Sequence, residues 1–222
     1  MEIHPSLWTD LLGIDKMYDH VVAALITFVV CTLLGLIVKS RISLVPSGVQ
    51  QFVEVALQGI LAMVDDNIGP EGRKYMPLIG TLAFFIFVSN LMGLVPTFSA
   101  ATGNLNTTVA CAVIVFLYYN WLGLKEHGIG YIKHFMGPMP AIAWLMFPIE
   151  IISHVARPFS LSMRLFGNIS GEHSVSAVFY GLIPFLLPVP LMALGLFAAF
   201  LQTFIFIMLT MVYIAGSLAH DH

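Results

Sequence analysis

The chain is predicted to be an all-α polytopic membrane protein. It has about five membrane-crossing helices and a surface amphipathic helix, with the last two crossings long and strongly tilted. Three observations lead there. Of 222 residues, 59% are hydrophobic and 9% charged, with a mean hydropathy of +0.92, whereas a soluble domain carries about 25% charged residues. Several apolar runs reach the roughly 20 residues a helix needs to cross a bilayer, and helices satisfy their own backbone groups there. From Ala141 to His220 the only charged residues are Glu150, Arg157, Arg164 and Glu172.

The whole chain, residues 1–222, reads as one membrane domain. Residues 1–45 hold an acidic N-terminus and a first span from about His20 to Val38, which ends at Lys39 and Arg41. Asp10, Asp15 and Asp19 precede that span. A cleavable signal peptide needs a basic n-region, so none is expected. Residues 46–75 predict an interfacial helix. Ser47 with Gln50 fits a capping box, and Val49, Phe52, Val53, Ala56, Leu57, Ile60, Leu61 and Val64 keep a helical period opposite Gln50, Gln51, Glu54 and Gln58. Such a helix lies along the membrane surface or under other helices.

Residues 76–124 contain two spans, about Pro77 to Val95 and Asn106 to Leu124, joined by a 96–103 loop without Lys or Arg. A Gly-rich connector with Lys125, His127, Lys133 and His134 follows; its histidines suit an interface and need no function. Residues 141–218 divide at Pro184, Pro188 and Pro190 into two long helices. The first, at about 35 residues, is roughly 50 Å long against a hydrocarbon core of about 30 Å. It must tilt or kink, and Pro148 and Pro158 offer kink points.

Basic residues orient the set. Lys39, Arg41, Arg73, Lys74, Lys125 and Lys133 share one side, which the positive-inside rule makes the inner one. The N-terminus is then outside and the C-terminus inside. A net charge of −3 with scattered basic residues gives no footprint for nucleic acid. Cys31 and Cys111 fall within apolar runs and form no CxxC pattern, so they read as core thiols.

Arg164 is the most informative residue. A guanidinium at membrane depth costs roughly 2.5–3.5 kcal/mol on insertion scales and stays protonated. Glu150, Arg157 and Arg164 recur every seven residues, so they share a stripe with Ser160, Gly167, Asn168 and Gly171. On the last helix Gln202 has a comparable face, with Gly195, Ala198, Ala199, Phe206, Tyr213 and Gly216. Small residues around one polar group let another helix approach closely. Glu172 and His173 point away from the Arg164 stripe, where Asn90, Asn104 and Asn106 are expected to join them along an aqueous path. Two roles suit the arginine: a fastener tied to Glu150 or to carbonyls, or a fixed charge that handles ions.

Two other classes of function compete. A haem-bearing redox protein would use some of the eight histidines, such as His154 and His173, yet no C-x-x-C-H occurs. A solute transporter would carry an internal repeat, and none is visible at the level of motif.

The run Arg157-Pro158-Phe159-Ser160-Leu161-Ser162-Met163-Arg164-Leu165-Phe166-Gly167-Asn168, followed by Gly171-Glu172, resembles subunit a of the F-type ATP synthase membrane sector. Leu201 to Phe206 with Leu209-Thr210 and Tyr213, Val88 to Pro96, and Asn104 to Thr108 resemble further segments of that family in the same order. The resemblance covers about residues 46–220 and implies a stator beside a rotating ring of c subunits, with two offset half-channels for protons. It implies that Arg164 faces the ring carboxylate, with Gln202 and Asn168 beside it. Glu172 would belong to the outer half-channel and Glu150 would lie toward the inner one. Asn104 stands where many members carry Asp, and His173 follows no family pattern. Partners implied are the c ring, the b subunits of the peripheral stalk, the rest of the synthase and the lipid bilayer of a bacterial plasma membrane. The chain itself is expected to be non-catalytic and without cofactor, and it carries no nucleotide motif.

Overall fold

A computed structural model describes residues 16–40, 42–95, 98, 100–128, 143–182 and 188–218. The first fifteen residues, the connector with Lys133 and His134, Pro184 and the last four residues lie outside these. Among the described residues six helices follow one another: α1 (Asp19–Ser40), α2 (Val49–Asn67), α3 (Met76–Gly93), α4 (Leu105–His127), α5 (Ala143–Leu182) and α6 (Pro188–Leu218). Short 3-10 turns at Lys16–Tyr18, Pro70–Tyr75 and Ala101–Gly103 lead into α1, α3 and α4.

Four described segments are long and apolar enough to cross a membrane: Asp19–Ser40, Pro70–Gly93, Leu105–His127 and Pro190–Leu218. Helix α5 is the fifth long helix, with 40 residues. At 1.5 Å per residue it measures roughly 60 Å, twice the hydrocarbon core. Its charges set it apart from the other four in composition. Pro188 and Pro190 occupy the first turn of α6, where a missing N–H costs nothing.

Helices α3, α4, α5 and α6 pack together with the second half of α2. Val64, Ile79, Ile86, Leu165, Met211 and Ile214 are wholly buried where they meet. Helix α1 lies at the margin and buries only Ala23 and Thr27. Thr27 returns its hydroxyl to the Ala23 carbonyl at 2.8 Å and touches the Met92 sulfur at 3.5 Å. Its outward Leu25, Phe28, Leu33 and Leu36 are exposed in the isolated chain. In a bilayer these side chains meet acyl chains, so exposure there carries no hydrophobic penalty.

One sequence expectation is corrected here. The Ser47/Gln50 capping box does not form. Gly48 occupies the N-cap of α2 with φ of 57°, a conformation suited to glycine, and no side chain caps the helix. Gln50 has a more complete set of partners elsewhere. Its Nε2 donates to the Ser43 carbonyl at 3.1 Å and to Glu54 Oε1 at 2.7 Å, and its Oε1 accepts from the Ser43 amide at 3.2 Å. An amide with those bonds can be buried at low cost, so Gln50 turns inward while Val49, Phe52 and Val55 face out. Only the second half of α2 tucks its apolar face, Ile60 and Val64, under the other helices.

The end of the 96–103 connection is buried. Ala100, Ala101 and Thr102 fold back between helices and are at most 3% exposed. Thr102 Oγ1 donates to Asn90 Oδ1 at 2.7 Å, and its amide donates to Ser89 Oγ at 3.1 Å. A buried loop is tolerable only with its polar groups paired, and these bonds pair them.

At the far end of the bundle Arg73 donates two hydrogen bonds to Asp65, at 2.9 and 2.8 Å, joining α2 to the turn before α3. That fork holds the Asp65 carboxyl below the usual carboxylate range.

Candidate functional site

Leu161, Leu165 and Ile169 recur every four residues on α5 and are buried in the core. That face fixes the roll of the helix and turns Arg164, Gly167 and Asn168 outward. Helix α6 packs alongside through Ala199, Thr203, Phe206 and Thr210, all buried. Between the two helices lies an open groove of about 660 Å³, lined among others by Arg164, Gly167, Asn168, Ala198, Leu201 and Gln202. Gly167 and Ala198 keep its floor low. The structure therefore brings Arg164, Asn168 and Gln202 into one concavity.

Phe206 and Ala199 do not belong to that open face. Each is 1% exposed. Both lie on the buried face of α6, and Phe206 is part of the hydrophobic core. Gln202 itself is 4% exposed, at the edge between groove and core.

Arg73 and Asp65 form an ion pair at 2.8 Å, and none joins Arg164 to Glu150. Arg164 is thus not tied to Glu150, and the fastener role in that form is not what the structure contains. Glu150, half-buried, stands on the same helix nearly four turns toward its N-terminus. Between them, the Arg157 guanidinium lies over the Tyr213 ring at 5.4 Å from its centroid, binding α5 to α6.

Farther along α5, Glu172 is half-buried and its carboxylate abuts Gly195 of α6, with Leu94, just past the end of α3, alongside. A Cβ on residue 195 would overlap the carboxylate oxygen, so Glu172 would have to move aside. His173 belongs to α5, but its side chain lies outside the described residues. Asn90 is 2% exposed, with its Oδ1 accepting from Thr102. Asn104 acts locally as the N-cap of α4, its Oδ1 accepting from the Asn106 amide at 2.9 Å. Asn106 is exposed at the same helix start.

One polar contact went unrecognised in the sequence. His154 Nε2 meets Asn120 Oδ1 at 2.8 Å, joining α5 to α4. The signal was present in Asn120, an uncharged polar residue inside an apolar span, but its partner lies across a connector. No group of three or more His, Cys, Asp or Glu suited to a metal occurs among the described residues.

The family model of the ATP synthase A chain matches residues 20–215. The chain belongs to the ATP synthase subunit a family. It is 46% identical to ATP synthase subunit a of Geobacter sulfurreducens, over 99% of this chain and 100% of that one. Identity to ATP synthase subunit a 2 of Syntrophotalea carbinolica is 46%, over 100% of this chain and 94% of the relative. For ATP synthase subunit a of Citrifermentans bemidjiense it is 47%, over 99% and 100%. The ATP synthase subunit a family, with helices fit to cross a membrane, makes this a multi-pass membrane protein of an ATP synthase complex. The haem and solute-transporter readings fall away with that membership.

Proposed function

We propose that the chain is the stator of a rotary proton channel, a single membrane domain that couples proton passage to turning of a c-subunit ring and thereby to ATP synthesis. The observation that carries this reading is an Arg164 guanidinium without a carboxylate partner among the described residues, facing an open groove with Asn168 and Gln202. A permanent cation kept at membrane depth needs an anion, and a carboxylate on a neighbouring rotor helix supplies one. The groove, floored by small residues, gives that helix room.

Protons enter from outside along Glu172, with His173, Asn104 and Asn106 on the same flank, and neutralise the ring carboxylate. Neutral, it turns into lipid; ionised, it would not at tolerable cost. After a turn it meets the inner path near Glu150. The charge on Arg164 favours the ionised carboxylate and so promotes release. It also repels protons that would otherwise jump from one path to the other. Each charge crossing is worth about 2.3 kcal/mol per 100 mV, so a leak at the seam would dissipate the driving force.

The subunit is non-catalytic in this reading, holds no cofactor, and docks the c ring, the b subunits of the peripheral stalk and the surrounding lipid. It sits in a bacterial plasma membrane with its N-terminus outside and C-terminus inside.

Disulfide mapping tests the placement of the ring. Cysteine at Leu201 on the groove should cross-link to the ring helix in a Cys31→Ser/Cys111→Ser background. Cysteine at Leu117, exposed on α4, should not. Equal cross-linking from both positions would refute the groove as the rotor seat.

A further inference from the structure

His154 is buried, titratable and unused by the proposed proton path. It sits on α5 between two prolines, Pro148 and Pro158. Pro158 stands four residues after His154 and has no N–H, so it cannot close the helical bond to the His154 carbonyl. The backbone ladder of α5 is therefore interrupted at His154, nearly three turns before Arg164. A forty-residue helix is free to bend or roll most easily where its ladder is broken.

The side chain of the same residue reaches out to the next helix. His154 is 8% exposed, and its ring stands edge-on to Tyr119 and Phe116 of α4, with centroids 5.2 and 5.5 Å away. Asn120 Nδ2 donates to the Phe116 carbonyl at 2.7 Å. That bond fixes the amide, leaves Oδ1 as acceptor, and makes His154 Nε2 the donor at 2.8 Å. Tyr119 in turn contacts the Tyr213 ring at 5.8 Å, and Tyr213 carries Arg157. One cluster thus ties α4, α5 and α6 together beside the proline gap.

We infer that the His154–Asn120 hydrogen bond is a latch that holds α5 at its proline break and so aims Arg164 into the groove. His154 is a positioning residue, and what matters is its N–H, not its titration. Only the functional consequence rests on the proposed role of Arg164; the latch itself is a statement about helix geometry.

The experiment uses the assembled synthase in inverted membrane vesicles, in a Cys31→Ser/Cys111→Ser background. Cysteines at Met163 and Ile205, which line the groove from α5 and α6, report the roll of α5 through short thiol cross-linkers. His154→Leu should lower the cross-link yield about tenfold, the shift expected when one interhelix hydrogen bond is lost, and raise passive proton permeability. His154→Gln keeps an N–H donor and should restore both. From the other side, Asn120→Gln keeps a neutral amide acceptor and should retain cross-linking, whereas Asn120→Leu should mimic His154→Leu. This second pair decides the matter if His154→Leu does not assemble. Unchanged cross-linking in both leucine variants overturns the latch. Equal loss of coupling in His154→Leu and His154→Gln, with cross-linking intact, also overturns it, because the proton and not the bond would then be what matters. Altered cross-linking with normal coupling supports the latch and counts against the Arg164 reading instead.

Discussion

Replacing Gly195 with alanine is expected to slow proton uptake from the outer side without opening a leak. The added Cβ would overlap the Glu172 carboxylate oxygen, and it would lie 2.9 Å from Glu172 Cδ and 2.5 Å from Leu94 Cδ2. Carbon atoms are comfortable at about 3.5–4.0 Å. The leucine methyl can rotate aside, but the carboxylate must leave its seat. These atoms are the far ends of flexible side chains, so displacing them costs about 1 kcal/mol, the low end for overpacking. At about 1.4 kcal/mol per factor of ten, the loss is about fivefold. ATP synthesis limited by outer uptake should fall in the same direction as in Glu172→Gln. Passive permeability should stay at the wild-type level, because Arg164 is untouched. Synthesis and permeability in inverted vesicles, with ring content checked by co-purification, measure both. In a Glu172→Ala background the same glycine substitution should cost nothing further, since neighbours that act through one contact are not additive. An assembled Gly195→Ala variant with normal synthesis, or a full additional loss in the Glu172→Ala background, would refute the reasoning.

Single cysteines at Leu105 and Glu126, at opposite ends of α4, should label from opposite faces of the membrane, Leu105 from outside and Glu126 from inside; labelling from one face would overturn the charge-based orientation. The Asp65–Arg73 pair should have a small, salt-screened effect because both side chains are partly exposed. The Asp65 carboxyl is held below its usual range, so its contribution is present above about pH 4, the ordinary aspartate value, and is lost as pH falls through the lower folded one. Asp65→Asn should therefore speed hydrogen exchange in the Pro70–Tyr75 turn at neutral pH, an effect that added salt reduces.

The helices were legible because membrane depth fixes the length of an apolar run and prolines and charges punctuate it. The groove was legible because seven-residue spacing puts Arg164 and the small residues on one stripe of a single helix. What was hidden depends on contacts between segments. Gln50 looked like a capping residue until Ser43 supplied it with better partners. Phe206 shares a period with Gln202, yet packing in the hydrophobic core draws it inside. The cap that Asn104 forms at the start of α4 depends on where the preceding turn ends. His154 and Asn120 meet across a connector whose course no local pattern encodes.

The seam role of Arg164 is tested most directly by Arg164→Lys, measured for ring assembly, ATP synthesis and passive proton flow together. Lysine keeps the formal charge but sheds its proton when desolvated and lacks the planar fork. The expected result is a complex that assembles with its ring yet neither synthesises ATP nor pumps, with Arg164→Ala in addition leaking protons. A lysine variant that assembles and synthesises ATP at a near-normal rate would contradict the role assigned to Arg164.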